Sequence, residues 1–346
     1  MGRPTSRTVS LGALFLAGCT VVYVLPAFIS SFRAQQFAYV GIYLIALIGL
    51  NILTGYTGQI SLGHGAFMAI GGYTTGILIS DQGLQIAGHT FSNDLKDVWT
   101  IPIAAVVAGA AGFLFGLPAL RLSGLYLALA TFAIAVSAPA VLKKFETFTG
   151  GGTGINLFGI KGLTGSISGV HVFGHKLDFY DWLYYLSWTI ALVLLAVAWL
   201  LLRGRIGRAF RAVRDSETAA ASSGVSLATY KTLAFAVSAA YAGVAGALYA
   251  IANTYVNPDT FPITLSIFLL VGVVVGGLGT LSGLVVGAVL VQFLPLWSQE
   301  VSKSPGAPAV VYGVILIAIM LALPGGVAGL LRRVRPLARR LYTRPR

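Results

Sequence analysis

The strongest constraint on this chain is a series of apolar runs, each long enough to cross a bilayer as a helix, a span that takes about 20 mostly apolar residues. Ten such runs occupy residues 9–29, 36–53, 65–80, 101–117, 125–142, 182–202, 233–252, 263–278, 281–297 and 309–323. The stretch 263–297 also reads as one hairpin of two shorter helices. Of the 346 residues, 57% are hydrophobic and only 10% charged, whereas soluble domains carry about 25% charge. The mean hydropathy is +0.86. These values predict an all-α polytopic membrane protein, and the 43 glycines suit helices that approach closely in lipid.

The placement of charge predicts orientation. With both termini in the cytoplasm, the inner segments hold Arg3, Arg7, Arg121, the group Arg203, Arg205, Arg208, Arg211, Arg214 and Lys231, and the tail arginines from Arg332 to Arg346. The outer ones hold only Arg33, Lys96, Lys143, Lys144, Lys161, Lys176 and Lys303. Basic residues concentrate on the cytoplasmic side, so the net charge of +13 reads as topology and attraction to anionic lipid, not as nucleic-acid binding. The resulting plan is a short cytoplasmic segment at 1–8, a membrane domain at 9–324 with an external loop at 143–181 and a cytoplasmic loop at 203–231, and a basic cytoplasmic tail at 325–346. The sequence Leu16-Ala17-Gly18-Cys19 has the form of a lipoprotein cleavage box, but Thr20 to Ile29 stays apolar to full span length where a polar tether belongs. A first transmembrane helix is the better reading, and the single cysteine leaves no partner for an intramolecular disulfide.

Absences narrow the energy source. The ten runs contain no Asp, Glu, Lys or Arg, whereas ion-coupled carriers tend to place ionisable groups inside their spans; a self-contained secondary transporter, with a sodium site built from backbone carbonyls, is the alternative that stays open. No Gly-Lys dipeptide occurs, so the phosphate-cradling loop with its lysine is missing, and any ATP that drives the protein is bound by another chain. His64, His89, His171 and His175 form no metal-binding signature.

Two segments carry most of the functional information. Residues 209–223 read as a helix with Gly224 as its stop, with Phe210, Val213 and Glu217 on a narrow apolar face beside a cationic face of Arg211 and Arg214. By composition this is a helix on the lipid surface or a docking helix for a partner, with Asp215 and Glu217 open to local pairing with Arg211 and Arg214. The segment 51–64 interrupts two apolar runs with Gly55, Gly58 and Gly63 and with the polar Asn51, Thr54, Tyr56, Thr57, Gln59, Ser61 and His64. Irregular backbone at membrane depth is tolerated where it is buried in protein or lines an aqueous cavity. The segment is therefore either a broken helix of a translocation pathway, lined by Asn51, Tyr56, Gln59, Ser61 and His64, or a cytoplasmic turn. His64 reads as a packing or hydrogen-bonding residue before a substrate contact. The glycines Gly272, Gly276, Gly279, Gly283 and Gly287 have small-residue spacing for close packing, within the chain or against a second subunit.

Arg211-Ala-Val-Arg-Asp-Ser-Glu-Thr-Ala-Ala-Ala-Ser-Ser-Gly-Val225, with Tyr230-Lys231 and the run from Leu233 to Tyr249, resembles the cytoplasmic loop and following span of the LivM-type permeases of branched-chain amino acid ABC importers. Three other stretches are similar to that family and follow in order: Gly49 to Tyr73, Thr149-Gly-Gly-Gly-Thr-Gly-Ile155, and Val275 to Ala288. Leu284 departs from the pattern, which has a proline there, and bears on a local kink. The resemblance covers roughly 36–326. It implies the ABC importer permease fold in a bacterial inner membrane, with alternating access powered by ATP and Mg in two partner ATP-binding subunits. It also implies a second related permease and an external substrate-binding protein, no cofactor on this chain, and Arg211, Arg214, Asp215, Glu217 and Gly224 in the ATPase-facing coupling element. Branched-chain amino acids are the implied cargo, with urea or short-chain amides carried by closely related permeases. In the external loop, docking of the binding protein and a folded cap without a partner are both open.

Overall fold

The computed structural model describes residues 20, 22–80, 84–86, 89–91, 97–122, 124–157, 171–172, 175–176 and 178–301, together with 310–311, 313–314, 317–318, 321, 326–327 and 329. The predicted runs 9–29 and 309–323 lie largely outside these residues. So do Cys19, nearly all of the basic tail and residues 158–170 of the long loop.

Each of the eight remaining runs is a helix. They are α1 (Ser31–Asn51), α2 (His64–Ile79), α3 (Asp97–Ala119), α4 (Leu125–Lys144), α5 (Phe179–Arg203), α8 (Leu227–Asn253), α9 (Ile263–Gly276) and α10 (Leu284–Val301), with α6 (Arg205–Asp215) and α7 (Glu217–Ser222) between α5 and α8. Six segments have the length and composition to cross a membrane: Ser31–Tyr56, Val98–Ala119, Leu125–Lys144, Phe179–Arg203, Leu227–Asn253 and Pro258–Gly276. α2 and the apolar part of α10 are shorter. The chain is thus an all-α, multi-pass membrane protein.

Two helices form the centre. Ser31–Tyr56 has 83% of its apolar stretch buried within the chain and Leu227–Asn253 78%, against 22% for Leu125–Lys144. A helix that is apolar all round is a buried one, and in α1 every residue from Val40 to Asn51 is inside. α3, α4 and α5 instead present Val106, Leu114, Leu125, Leu129, Val193 and Leu200 outward, the surface that hydrocarbon covers.

Glycine sets the helix spacing. A Cβ on Gly246 of α8 would lie 1.9 Å from the Met68 carbonyl oxygen of α2, and one on Gly71 of α2 would lie 2.2 Å from the Gly243 carbonyl oxygen, so these backbones touch directly. The same device closes α9 on α10: a Cβ on Gly283 would stand 1.7 Å from the Gly276 oxygen and one on Gly287 2.2 Å from the Gly272 oxygen. The stripe of small residues therefore packs within this chain, where 263–297 is indeed two short helices folded back on each other. Leu284 is the first residue of α10 and fully buried. Its N–H donates to the Leu281 carbonyl at 3.4 Å, so the helix starts here without the proline of the family pattern.

Contacts sort the connections into two ends of the bundle. α1 runs antiparallel to α8, since Gly49 lies against Ser238 and Tyr241 while Tyr39 Oη donates to Asn253 Oδ1 at 2.9 Å. α2 runs parallel to α8, with Gly71 on Gly243 and Gly76 near Val256. One end gathers residues 57–63, α6, α7 and the break 277–283. At the other, β1 (Ile155–Asn156) pairs antiparallel with β2 (Tyr255–Val256), and Lys143 Nζ meets Asp259 Oδ1 at 2.9 Å. The first part of the long loop, through Asn156, is thus folded onto the chain itself.

Candidate functional site

At the first of these ends the two segments singled out in the sequence come together. α1 does not stop at Asn51 but widens into a π-helical turn, Ile52–Tyr56, and the backbone then leaves helical geometry until α2 begins at His64. Because α1 and α2 run in opposite senses, 57–63 is a turn between antiparallel helices. Its polar groups are satisfied inside the protein, as a buried backbone requires. Gln59 N–H donates to the Leu53 carbonyl at 3.1 Å, Thr57 Oγ1 donates to the same oxygen, and Thr54 Oγ1 donates to the Gln59 carbonyl at 3.3 Å. Two neighbouring helices add bonds: Leu62 N–H donates to Thr131 Oγ1 of α4 at 3.0 Å, and Gly65 N–H to Ser266 Oγ of α9 at 2.8 Å.

Asn51 is fully buried and spans the gap to the α9–α10 break. Its Nδ2 donates to the Thr280 carbonyl at 2.8 Å, and its Oδ1 accepts from Gly279 N–H at 2.9 Å. Gly55 lies so near that a Cβ there would be 2.0 Å from Asn51 Oδ1 and 2.4 Å from the Gly279 nitrogen. Gln59 and Ser61 are buried as well, Ser61 Oγ accepting from Gly63 N–H at 3.3 Å. Tyr56 is partly buried. His64 is buried with its ring beside Gly49, and among the described residues its Nε2 has no hydrogen-bond partner; the same holds for Ser238 Oγ on the helix that Gly49 touches.

The cytoplasmic-loop segment differs from its sequence reading in one respect. The expected single helix over 209–223 is two, because Ser216 adopts an extended conformation (φ −163°, ψ 116°) and caps α7, its hydroxyl accepting from Ala219 N–H at 3.3 Å. Serine at a helix amino end competes with continuation by bonding the backbone, and the surrounding alanines hide that choice. Phe210 and Val213 are buried as expected, Phe210 meeting Tyr230 edge-on at 6.3 Å between ring centres. Glu217 is not on that apolar face. Nor does it pair with Arg211 or Arg214: its carboxylate meets Lys231 Nζ of α8 at 2.7 Å. Lys231 is only 6% exposed, so this pair fastens α7 to the first turns of α8. Gly224 has φ +81° and ends α7, with Val225 N–H reaching back to the Ala220 carbonyl at 3.0 Å, the left-handed stop that glycine serves best. Arg211 and Asp215 are exposed.

Arg214 joins the two segments. Its Nη1 donates to the Gly55 carbonyl at 2.6 Å. Thr131, Ser266 and Thr280 are residues of this assembly that the sequence left unassigned, while Gly279 reads there only as a packing glycine and Lys231 only as a basic residue of the cytoplasmic loop. Thr131 and Ser266 were visible only as isolated hydroxyls in apolar runs, and Gly279 and Thr280 act through their backbones.

Comparison with known proteins places the chain among transport permeases. Residues 33–323 match the family described as branched-chain amino acid transport system / permease component. The chain is 36% identical over 293 residues to the high-affinity branched-chain amino acid transport system permease protein LivM of Salmonella typhimurium, covering 80% of this chain and 66% of that protein. The Escherichia coli LivM gives the same identity and coverage. The chain therefore spans just under two thirds of the length of these relatives. With the Escherichia coli permease protein LivH it shares 24% identity over 300 residues, 83% of this chain and 91% of that one. No solved structure matches it.

Proposed function

We propose, because this chain belongs to the branched-chain amino acid transport permease family, that it is a membrane-spanning permease subunit of an ATP-driven importer for branched-chain amino acids. The observation that carries the reading is the family match across residues 33–323, which includes both the helical core and the loop at its end. The chain itself performs no chemistry. It would work in the bacterial inner membrane beside a second, related permease, above two ATP-binding subunits that hydrolyse MgATP, and would receive cargo from an external binding protein.

In this reading the end that bears α6 and α7 faces the cytoplasm, in line with the excess of arginine there, and both termini are cytoplasmic. Arg211, Arg214, Asp215, Glu217 and Gly224 belong to the coupling element. Two short helices suit that task because each is anchored: α6 by Phe210 and Val213 in the core, α7 by the Glu217–Lys231 pair. The turn that holds Asn51, Tyr56, Gln59, Ser61 and His64 forms the inner end of the translocation pathway. What supports this is the cluster of buried polar side chains in one short segment, Asn51, Thr54, Thr57, Gln59, Ser61 and His64.

The test is to tag the chain, solubilise membranes gently and identify what copurifies. One related permease and two ATP-binding chains per copy is the expected result, with ATP-dependent uptake of leucine, isoleucine or valine after reconstitution with the binding protein. Recovery of the chain alone, or an intact complex that takes up short-chain amides and not these amino acids, overturns the assembly or the substrate respectively.

A further inference from the structure

Of the four arginines of α6, Arg205, Arg208, Arg211 and Arg214, only Arg214 makes a hydrogen bond to another element among the described residues, and it does so in a slot built from glycine. A Cβ on Gly58 would lie 3.3 Å from Arg214 Cγ, and a Cβ on Gly279 would lie 2.8 Å from Arg214 Nη1. Both glycines have positive φ, 73° and 70°, a region that other residues enter at a cost. The guanidinium thus lies between the turn after α1 and the α9–α10 break, held on the Gly55 carbonyl. Those two segments are themselves clasped by Asn51, through Gly279 N–H and the Thr280 carbonyl.

We propose that Arg214 is a positioning residue that straps the coupling element to the inner ends of α1, α9 and α10, so that displacement of α6 is transmitted inward through the Gly55 carbonyl and not through contact of Arg214 with the ATPase. This rests on the importer reading above. Arg214 is exposed at the surface, and three features favour a strap over a passive arginine there. The bond is charge-assisted and short, the strong kind. The buried Phe210 and Val213 fix the roll of α6, so the next residue is aimed and not free to swing. The receiving segments are a π-turn and a glycine break, points where helices yield, so a pull at Gly55 bends a joint instead of shearing a rigid rod.

The test uses the whole complex in proteoliposomes with its binding protein, and reads ATP hydrolysed per amino acid imported. Arg214→Ala is expected to raise that ratio tenfold or more while the ATP-binding chains copurify in unchanged amount, and Arg214→Lys, which can still donate to Gly55, to restore part of the coupling. Gly279→Ala acts from the other side of the slot and is expected to reproduce the defect. The double variant is expected to be no worse than Arg214→Ala alone, because both remove one interaction. The proposal is overturned by an unchanged ratio in Arg214→Ala, by additive defects, or by loss of ATP-binding chains from Arg214→Ala with normal coupling in what remains, since Arg214 is then a docking residue. If the wild-type complex contains no ATP-binding chain, the importer reading itself fails and this proposal falls with it.

Discussion

At the scale of single residues, the decisive feature is that polar side chains in this bundle serve backbone groups of distant segments. Asn51 bonds both Gly279 N–H and the Thr280 carbonyl through its carboxamide, so Asn51→Leu is expected to leave one partly buried N–H and one partly buried carbonyl without that partner. An unsatisfied buried group costs about 1–3 kcal/mol, and the purified complex should melt at a lower temperature. Equal melting would mean that these groups find water or other partners. The Glu217–Lys231 pair behaves differently because Lys231 is buried while Glu217 is about half exposed. Glu217→Ala leaves the ammonium uncompensated and is expected to destabilise by roughly 1–2 kcal/mol. Adding Lys231→Met should recover most of the loss, since replacing both members of a buried pair by apolar groups is often neutral. A double variant that melts below the single one would show that the lysine has a role beyond the pair.

At the scale of elements, the sequence reveals most where a rule is local. The eight described apolar runs are eight helices because the length that spans a bilayer is written in consecutive residues. Their ends are less legible. α8 begins six residues before its apolar run, at the cap Ser226, since polar residues continue a helix beyond the lipid-facing part, and the break at Ser216 is concealed by alanine on its far side. Least legible is the site, for Asn51 and Gly279 are 228 residues apart and one of them contributes only an amide. Close helix packing lies between these cases: glycine frequency signals it, but only the structure tells which glycines touch. Gly246→Ala is expected to abolish assembly, because its Cβ would stand 1.9 Å from the Met68 oxygen, whereas Gly76→Ala, whose nearest neighbour would be 3.5 Å away, should be tolerated. Comparable yields of folded complex from both variants would show that α2 and α8 can separate without loss.

At the scale of the whole molecule, charge asymmetry and packing make one joint claim about topology. The end that carries Arg205, Arg208 and Arg211 also carries the 57–63 turn and the 277–283 break, while Lys143, Asp259 and the β1–β2 ladder lie at the other. If the positive-inside rule governs, the two ends face opposite compartments, and this can be read directly. With Cys19 replaced by serine, a single cysteine introduced at Arg211 is expected to be inaccessible to an impermeant thiol reagent in intact cells and to react once the membrane is opened, and one at Lys143 should react in intact cells. The two sites are exposed in the folded chain, so silence cannot be blamed on burial in the subunit. Both reacting from the same side would break the link between the arginine cluster and the cytoplasm, and with it the placement of the coupling element beneath the membrane. Opposite sidedness in the reverse sense would keep the fold and invert the direction from which ATP-binding partners approach. Only the expected pattern brings Arg214, the Gly55 carbonyl and the glycine break to the cytoplasmic side, which is the condition that the proposed transmission from α6 through Gly55 requires.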